Sequence, residues 1–133
     1  MKIVAIDTNI LLDFFLEREK FVTAKNIINQ VASGKIKLLI LLPVILEFEW
    51  TLKRFYKTPK KIIMDRIKAV LELPNCEIQE KQAIKNALIL YVDHSGVSFD
   101  DCLIISQLKI FSIRIDEFIT FDKKLQKLYQ KII

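Results

Sequence analysis

The chain has 133 residues, of which 52% are hydrophobic, and only 2 Gly and 3 Pro interrupt it. That composition describes one domain with enough apolar surface for a sizeable core and excludes a disordered chain. The net charge of +5, from 21 Lys and Arg against 16 Asp and Glu, suits a polyanionic partner.

In chain order, strand-like and helix-like runs alternate. Met1-Lys2-Ile3 leads straight into a strand pattern with no signal-peptide cleavage region. Residues 3–6 read as a buried strand and 8–15 as a short helix. Residues 21–33 read as a helix stopped at Gly34. A second buried strand covers 37–42. The apolar run Leu38 to Leu46 that overlaps it is about half the ~20 residues a membrane-spanning helix needs, and Pro43 divides it. Pro43 stands in the first turn of a helix to about Tyr56, and Thr58-Pro59 opens another to about Leu73. Pro74-Asn75 is a turn, 76–79 a short strand and 80–92 a helix. After a loop at 93–98 come a helix over 100–111, a strand over 117–121 and a helix over 123–130. Lys131-Ile132-Ile133 could add a short edge strand.

Continuous apolar strands joined by helices imply an α/β fold with a parallel sheet covered on both faces. In such sheets ligands bind beyond the carboxyl ends of the strands. Asp7, Asp122 and the helix carrying Glu47 begin at such ends, and a fourth acid, Asp101, opens a helix. Asp7 closes Ile3-Val4-Ala5-Ile6, Glu47 follows Pro43-Val44-Ile45-Leu46, Asp101 precedes Cys102-Leu103-Ile104-Ile105, and Asp122 closes Phe118-Ile119-Thr120-Phe121. A carboxylate beside a buried strand is costly unless its charge is compensated. Helix capping offers one compensation. Asp7 and Asp122 each stand at an N-cap position, and Ser98-Phe99-Asp100-Asp101 has the form of a capping box. Capping does not account for Glu47, about one turn inside its helix. Glu49, two residues on, has Lys53 at i+4 as an ordinary surface partner, so Glu47 is the site candidate.

The remaining chemistry narrows the choice of cofactor. His94 is the only histidine, and Cys76 and Cys102 show no CxxC spacing. Zinc therefore lacks its usual donors, and the cysteines read as reduced core residues of a cytoplasmic chain. Carboxylate oxygens point to Mg²⁺ or Mn²⁺. At ~4 Å and an effective dielectric of about 20, two carboxylates repel by about 4 kcal/mol, which a divalent ion would relieve. The basic run Lys53, Arg54, Lys57, Lys60 and Lys61, with Phe55 and Tyr56 between, suits RNA phosphates. Read by itself it also fits a solvated helix face.

These motifs resemble the PIN-domain ribonucleases, especially the VapC-type toxins of toxin–antitoxin pairs. Ile6-Asp7-Thr8-Asn9-Ile10-Leu11-Leu12-Asp13 is similar to the first family motif and Leu46-Glu47-Phe48-Glu49-Trp50-Thr51-Leu52 to the second. Phe99-Asp100-Asp101-Cys102-Leu103 resembles the third, and Phe118-Ile119-Thr120-Phe121-Asp122 the fourth. The resemblance covers nearly the whole chain. It implies a single three-layer α/β/α PIN-like domain over 1–133, with a parallel sheet of four to five strands. It further implies a metal-dependent endoribonuclease in which Asp7, Glu47, Asp101 and Asp122 hold Mg²⁺ or Mn²⁺, with Asn9 and Thr120 as polar support. An antitoxin partner and a homodimer are implied as well. The doubled acid at 100–101 and the short C-terminal end depart from the family pattern.

Three other readings compete. An aspartyl-phosphate phosphatase commonly has Asp-x-Asp after its first strand, where this chain has Asp7-Thr8-Asn9, and a receiver-like domain wants a lysine ending a late strand, where Lys123 opens a helix. A non-catalytic RNA- or protein-binding module on the same fold would have no need of all four acids.

Overall fold

The computed structural model describes residues 1–111 and 114–133. They form two compact units, Met1–Gln79 and Glu80–Ile133.

The first unit is built on a parallel three-stranded sheet in the order β1-β2-β3, with β1 at Lys2–Ala5, β2 at Ile36–Ile40 and β3 at Cys76–Ile78. Lys2 pairs with Ile36 and Ala5 with Leu39, and Leu38 pairs with Cys76. Along β2 the buried Ile36, Leu38 and Ile40 alternate with half-buried Lys37 and Leu39, the period-two pattern of a central strand. β1 departs from the buried strand its composition suggests. It pairs only with β2 among the described residues, and Ile3 is 65% exposed. An edge strand can place apolar side chains where nothing in its own unit covers them.

Helices α1 (Thr8–Leu16) and α2 (Phe21–Ala32) connect β1 to β2, and α3 (Leu42–Arg54) and α4 (Lys60–Leu71) connect β2 to β3. Gly34 ends α2 as expected. It adopts φ +80, the Lys35 N–H reaches the Gln30 carbonyl at 2.9 Å, and the Gly34 N–H reaches Val31 at 3.1 Å, a Schellman closure. Pro43 lies in the first turn of α3, where its missing N–H leaves no helical bond unmade. The core of this unit includes Val31, Leu38, Ile45, Phe48, Leu52, Ile63 and Ile67, all fully buried. Phe48 meets Phe15 of α1 at 5.5 Å between ring centroids.

The second unit contains α5 (Lys81–Asp93), α6 (Phe99–Ile110) and α7 (Lys123–Ile132). Tyr91 and Phe99 pack edge to face at 5.7 Å. Ile105, Leu125 and Leu128 form an apolar cluster flanked by Val97, Phe118, Tyr129 and Ile132. Two expected strands, at 117–121 and 131–133, are not assigned among the described residues. Residues 117–120 join no ladder, and the Phe118 ring packs instead on Tyr129 at 5.1 Å. The chain end at 131–132 continues α7, because Leu125, Leu128, Tyr129 and Ile132 keep three- and four-residue spacing against the cluster. The architecture is a helix-rich α/β fold with a parallel sheet of three assigned strands. No described helix is long and apolar enough to cross a membrane.

Candidate functional site

In the first unit the candidates follow the carboxyl ends of adjacent parallel strands. Asp7 stands two residues beyond β1 and caps α1, its Oδ1 accepting the Thr8 N–H at 2.7 Å. Among the described residues this is the only bond its side chain makes, so Oδ2 is open to a further partner. Thr8 itself is buried, and its Oγ1 has no hydrogen-bond partner among the described residues. The chain leaving β2 is pinned to β3, since the Gln79 side-chain oxygen accepts the Leu42 N–H at 2.9 Å and the Gln79 N–H donates to Ile40. α3 starts there and carries Glu47 to an exposed position.

Glu49 is not the surface residue that its spacing from Lys53 suggests. It is 4% exposed, while Lys53 lies at the surface. The reason is helical phase: Glu49 follows Phe48 and lies four residues from Ile45, both fully buried, so it shares their inward stripe. The expected surface pairing of Glu49 with Lys53 placed it outside, and packing places it inside.

A second feature escaped sequence reasoning. Arg18, just past α1, pairs with Asp13 at 2.8 Å and donates to the Tyr56 hydroxyl at 3.1 Å and to Asn9 Oδ1 at 3.4 Å. It thereby joins the first turn of α1 to the chain just beyond α3. Asn9 is accordingly oriented by Arg18. The spacing signal was present, since Asn9 and Asp13 are one helical turn apart, but nothing local announces Tyr56 as the third partner. Of the basic run, Lys53, Arg54, Lys57 and Lys61 are exposed and Lys60 is half-buried, beside a Phe55–Tyr56 edge-to-face pair.

In the second unit, the capping readings of Asp101 and Asp122 hold in part. Ser98 caps α6 by accepting the Asp101 N–H at 3.1 Å, which leaves the Asp101 carboxylate in the first turn. Asp122 caps α7 through one oxygen, Oδ1, which accepts from Lys124 at 2.9 Å and Leu125 at 3.1 Å. Thr120 accepts the Asp122 N–H at 3.1 Å and so supports that carboxylate. Burial pushes the Asp101 carboxyl above the usual aspartate range; the Ser98 hydroxyl pulls it down, and the charges of Asp122 and then Asp100 push it up again. Asp101 is half-buried and Asp100 exposed, so Asp101 bears the desolvation. Within neither unit do three or more His, Cys, Asp or Glu among the described residues form a group able to hold an ion.

The raised carboxyl predicts a pH-dependent effect of substitution. A folded-state pKa above the unfolded one favours the fold while the group is protonated, and this benefit is lost as pH rises through the folded value. Asp101→Asn cannot ionise. Its stability relative to the wild type is expected to climb as pH rises from about 3.5 to 7, measured by denaturant unfolding in EDTA. A difference that stays flat across that range would show that Asp101 ionises in the fold without penalty.

A family model described as PIN domain matches residues 4–131. The chain is 29% identical over 129 residues to a protein named "VapC ribonuclease" from Aquifex aeolicus (strain VF5), an alignment spanning 96% of this chain and 93% of that relative.

Proposed function

The chain belongs to the PIN-domain family, and from that premise we propose that it is a metal-dependent endoribonuclease that hydrolyses RNA phosphodiester bonds, the toxin of a toxin–antitoxin pair. The likeness to the VapC ribonuclease over nearly its full length supports the substrate class. In this reading residues 1–133 act as one PIN-like domain, a view supported by a family match that runs through both units. The protein works in the cytoplasm, forms a homodimer and is held in check by an antitoxin.

The observation that carries the metal assignment is the pair of capped carboxylates: Asp7 and Asp122 each hold backbone N–H groups with Oδ1 alone and keep Oδ2 for a further partner, with the state of Asp101 in support. Its carboxyl is penalised by burial and by the neighbouring charges of Asp122 and Asp100, a situation that a divalent cation reverses. The donors are hard carboxylate oxygens, which fit Mg²⁺ or Mn²⁺. Asp7, Glu47, Asp101 and Asp122 would hold the ion or ions. Glu47 is preferred to Glu49 because it is exposed and Glu49 is buried. When bound, the metal supplies an acidified water and neutralises charge on the phosphoryl group.

The chain's own residues hold the geometry. The N–H groups of Thr8, Lys124 and Leu125 fix one oxygen each of Asp7 and Asp122 and so orient the other. Asn9 and Thr120 support the same two segments, through Arg18 and the Asp122 N–H respectively. Lys53, Arg54, Lys57, Lys60 and Lys61 bind phosphates flanking the cut, and Phe55, at 73% exposure, offers a ring face to an unstacked base.

The test is incubation of the purified protein with a structured RNA in Mn²⁺ or EDTA, with products resolved by electrophoresis. Fragments are expected with Mn²⁺ and neither in EDTA nor with Asp7→Asn. RNA left intact by the wild type in Mn²⁺ would refute the activity, and equal cleavage in EDTA would refute the metal requirement.

A further inference from the structure

α7 carries a second basic surface, distant in sequence from the Lys53 to Lys61 run. Lys124, Lys127 and Lys131 recur at the three- and four-residue spacing that places them on one face of the helix. Their backbones are roughly 4.5 and 6 Å apart along its axis. With His94 and Asp93 from the end of α5, they line a groove of about 340 Å³ whose apolar floor includes Leu128. The loop beside it is built against the first lysine. Gly96 adopts φ +79, and a Cβ there would stand 2.9 Å from Lys124 Nζ, so glycine lets the loop close on that side chain.

None of the three lysines forms an ion pair among the described residues, and Asp93 is the only acid on the groove. Three cations held together without carboxylate partners make a site for repeated negative charge. We infer that this groove binds the phosphate backbone of a single-stranded RNA segment and leads it along α7 toward Asp122; the inference rests on the ribonuclease reading.

Several features favour RNA. The lysine row extends roughly 10 Å along the helix, so it matches a chain of charges better than one free phosphate. α7 begins at Asp122, whose carboxylate caps it. The His94 ring adds a planar face and an N–H donor for a base.

The experiment is fluorescence anisotropy of a labelled single-stranded RNA in EDTA, from 50 to 200 mM salt. The full chain is compared as wild type, as the triple Lys124→Gln, Lys127→Gln, Lys131→Gln, and as a charge-matched triple Lys20→Gln, Lys35→Gln, Lys85→Gln on other exposed positions. Three lost phosphate contacts are expected to weaken binding about tenfold or more and to flatten the salt slope by about 2. The matched triple is expected to change the slope far less, and Lys→Arg at the three groove positions to preserve it. A groove triple with wild-type slope, or equal flattening in both triples, would overturn the inference. Cleavage is not read in EDTA, so a chain that never cuts RNA would sink the ribonuclease reading while leaving this readout intact.

Discussion

Mn²⁺ at a hundred times its dissociation constant is expected to stabilise the metal-free protein by about 2.7 kcal/mol, raising Tm by roughly 10 °C for a chain of this size. The gain would follow from linkage: on the proposed metal site, the ion would bind the carboxylates of the folded chain and not the dispersed ones of the unfolded chain. Asp101 makes the effect specific, since its carboxyl carries burial and like-charge penalties when no cation offsets them. Asp122→Asn is expected to lose most of the shift. The substituted amide oxygen can still accept the Lys124 and Leu125 N–H groups, so the cap on α7 survives and the variant should remain folded. The measurement is a thermal melt with Mn²⁺ or EDTA at matched ionic strength. A wild-type shift no larger than that of Asp122→Asn would refute a carboxylate metal centre involving Asp122.

Glu47→Gln and Glu49→Gln are expected to fail in different ways. Glu47 is exposed on α3, so its loss should leave the fold nearly untouched, within about 0.5 kcal/mol. Cleavage should fall by on the order of a hundredfold or more, as about 3 kcal/mol of lost transition-state stabilisation requires. Glu49 is 4% exposed on the inward stripe with Ile45 and Phe48. Its neutralisation disturbs a buried polar group, and such changes cost about 1–3 kcal/mol. Activity per folded molecule should be retained. Denaturant unfolding and single-turnover cleavage on the same preparations separate the two roles. Equal loss of cleavage in both variants, with both folded, would mean that the functional glutamate is not unique to position 47.

The same pair of residues shows where sequence reasoning stopped. The spacing Glu49 to Lys53 satisfies the i, i+4 rule for an exposed ion pair, yet that rule presumes the helix face is in solvent. Which face of α3 is buried depends on Phe48 meeting Phe15 of α1, a contact between residues 33 positions apart. Arg18 is similar: its bond to Asn9 is local, but its bond to Tyr56 spans 38 positions. The terminal helix gave the opposite error. Lys131-Ile132-Ile133 is too short to distinguish strand from helix by periodicity, and the preceding spacing of Leu125, Leu128 and Ile132 against Ile105 decided it.

What the sequence determined by itself is local. The stop at Gly34, Pro43 in the first turn of α3, and the caps at Asp7, Ser98 and Asp122 all follow from side-chain and backbone chemistry within a few residues. The order of acids in apolar frames was enough to suggest the family that the match over residues 4–131 then established. The tertiary structure decided burial and charge environment: β1 at the sheet edge with Ile3 exposed, Glu49 inside and Glu47 outside, the Asp101 carboxyl raised by burial first and then by the charge of Asp122. Those properties depend on which distant groups exclude water or bring charge close, and neither quantity is fixed by a residue's own neighbours in the chain.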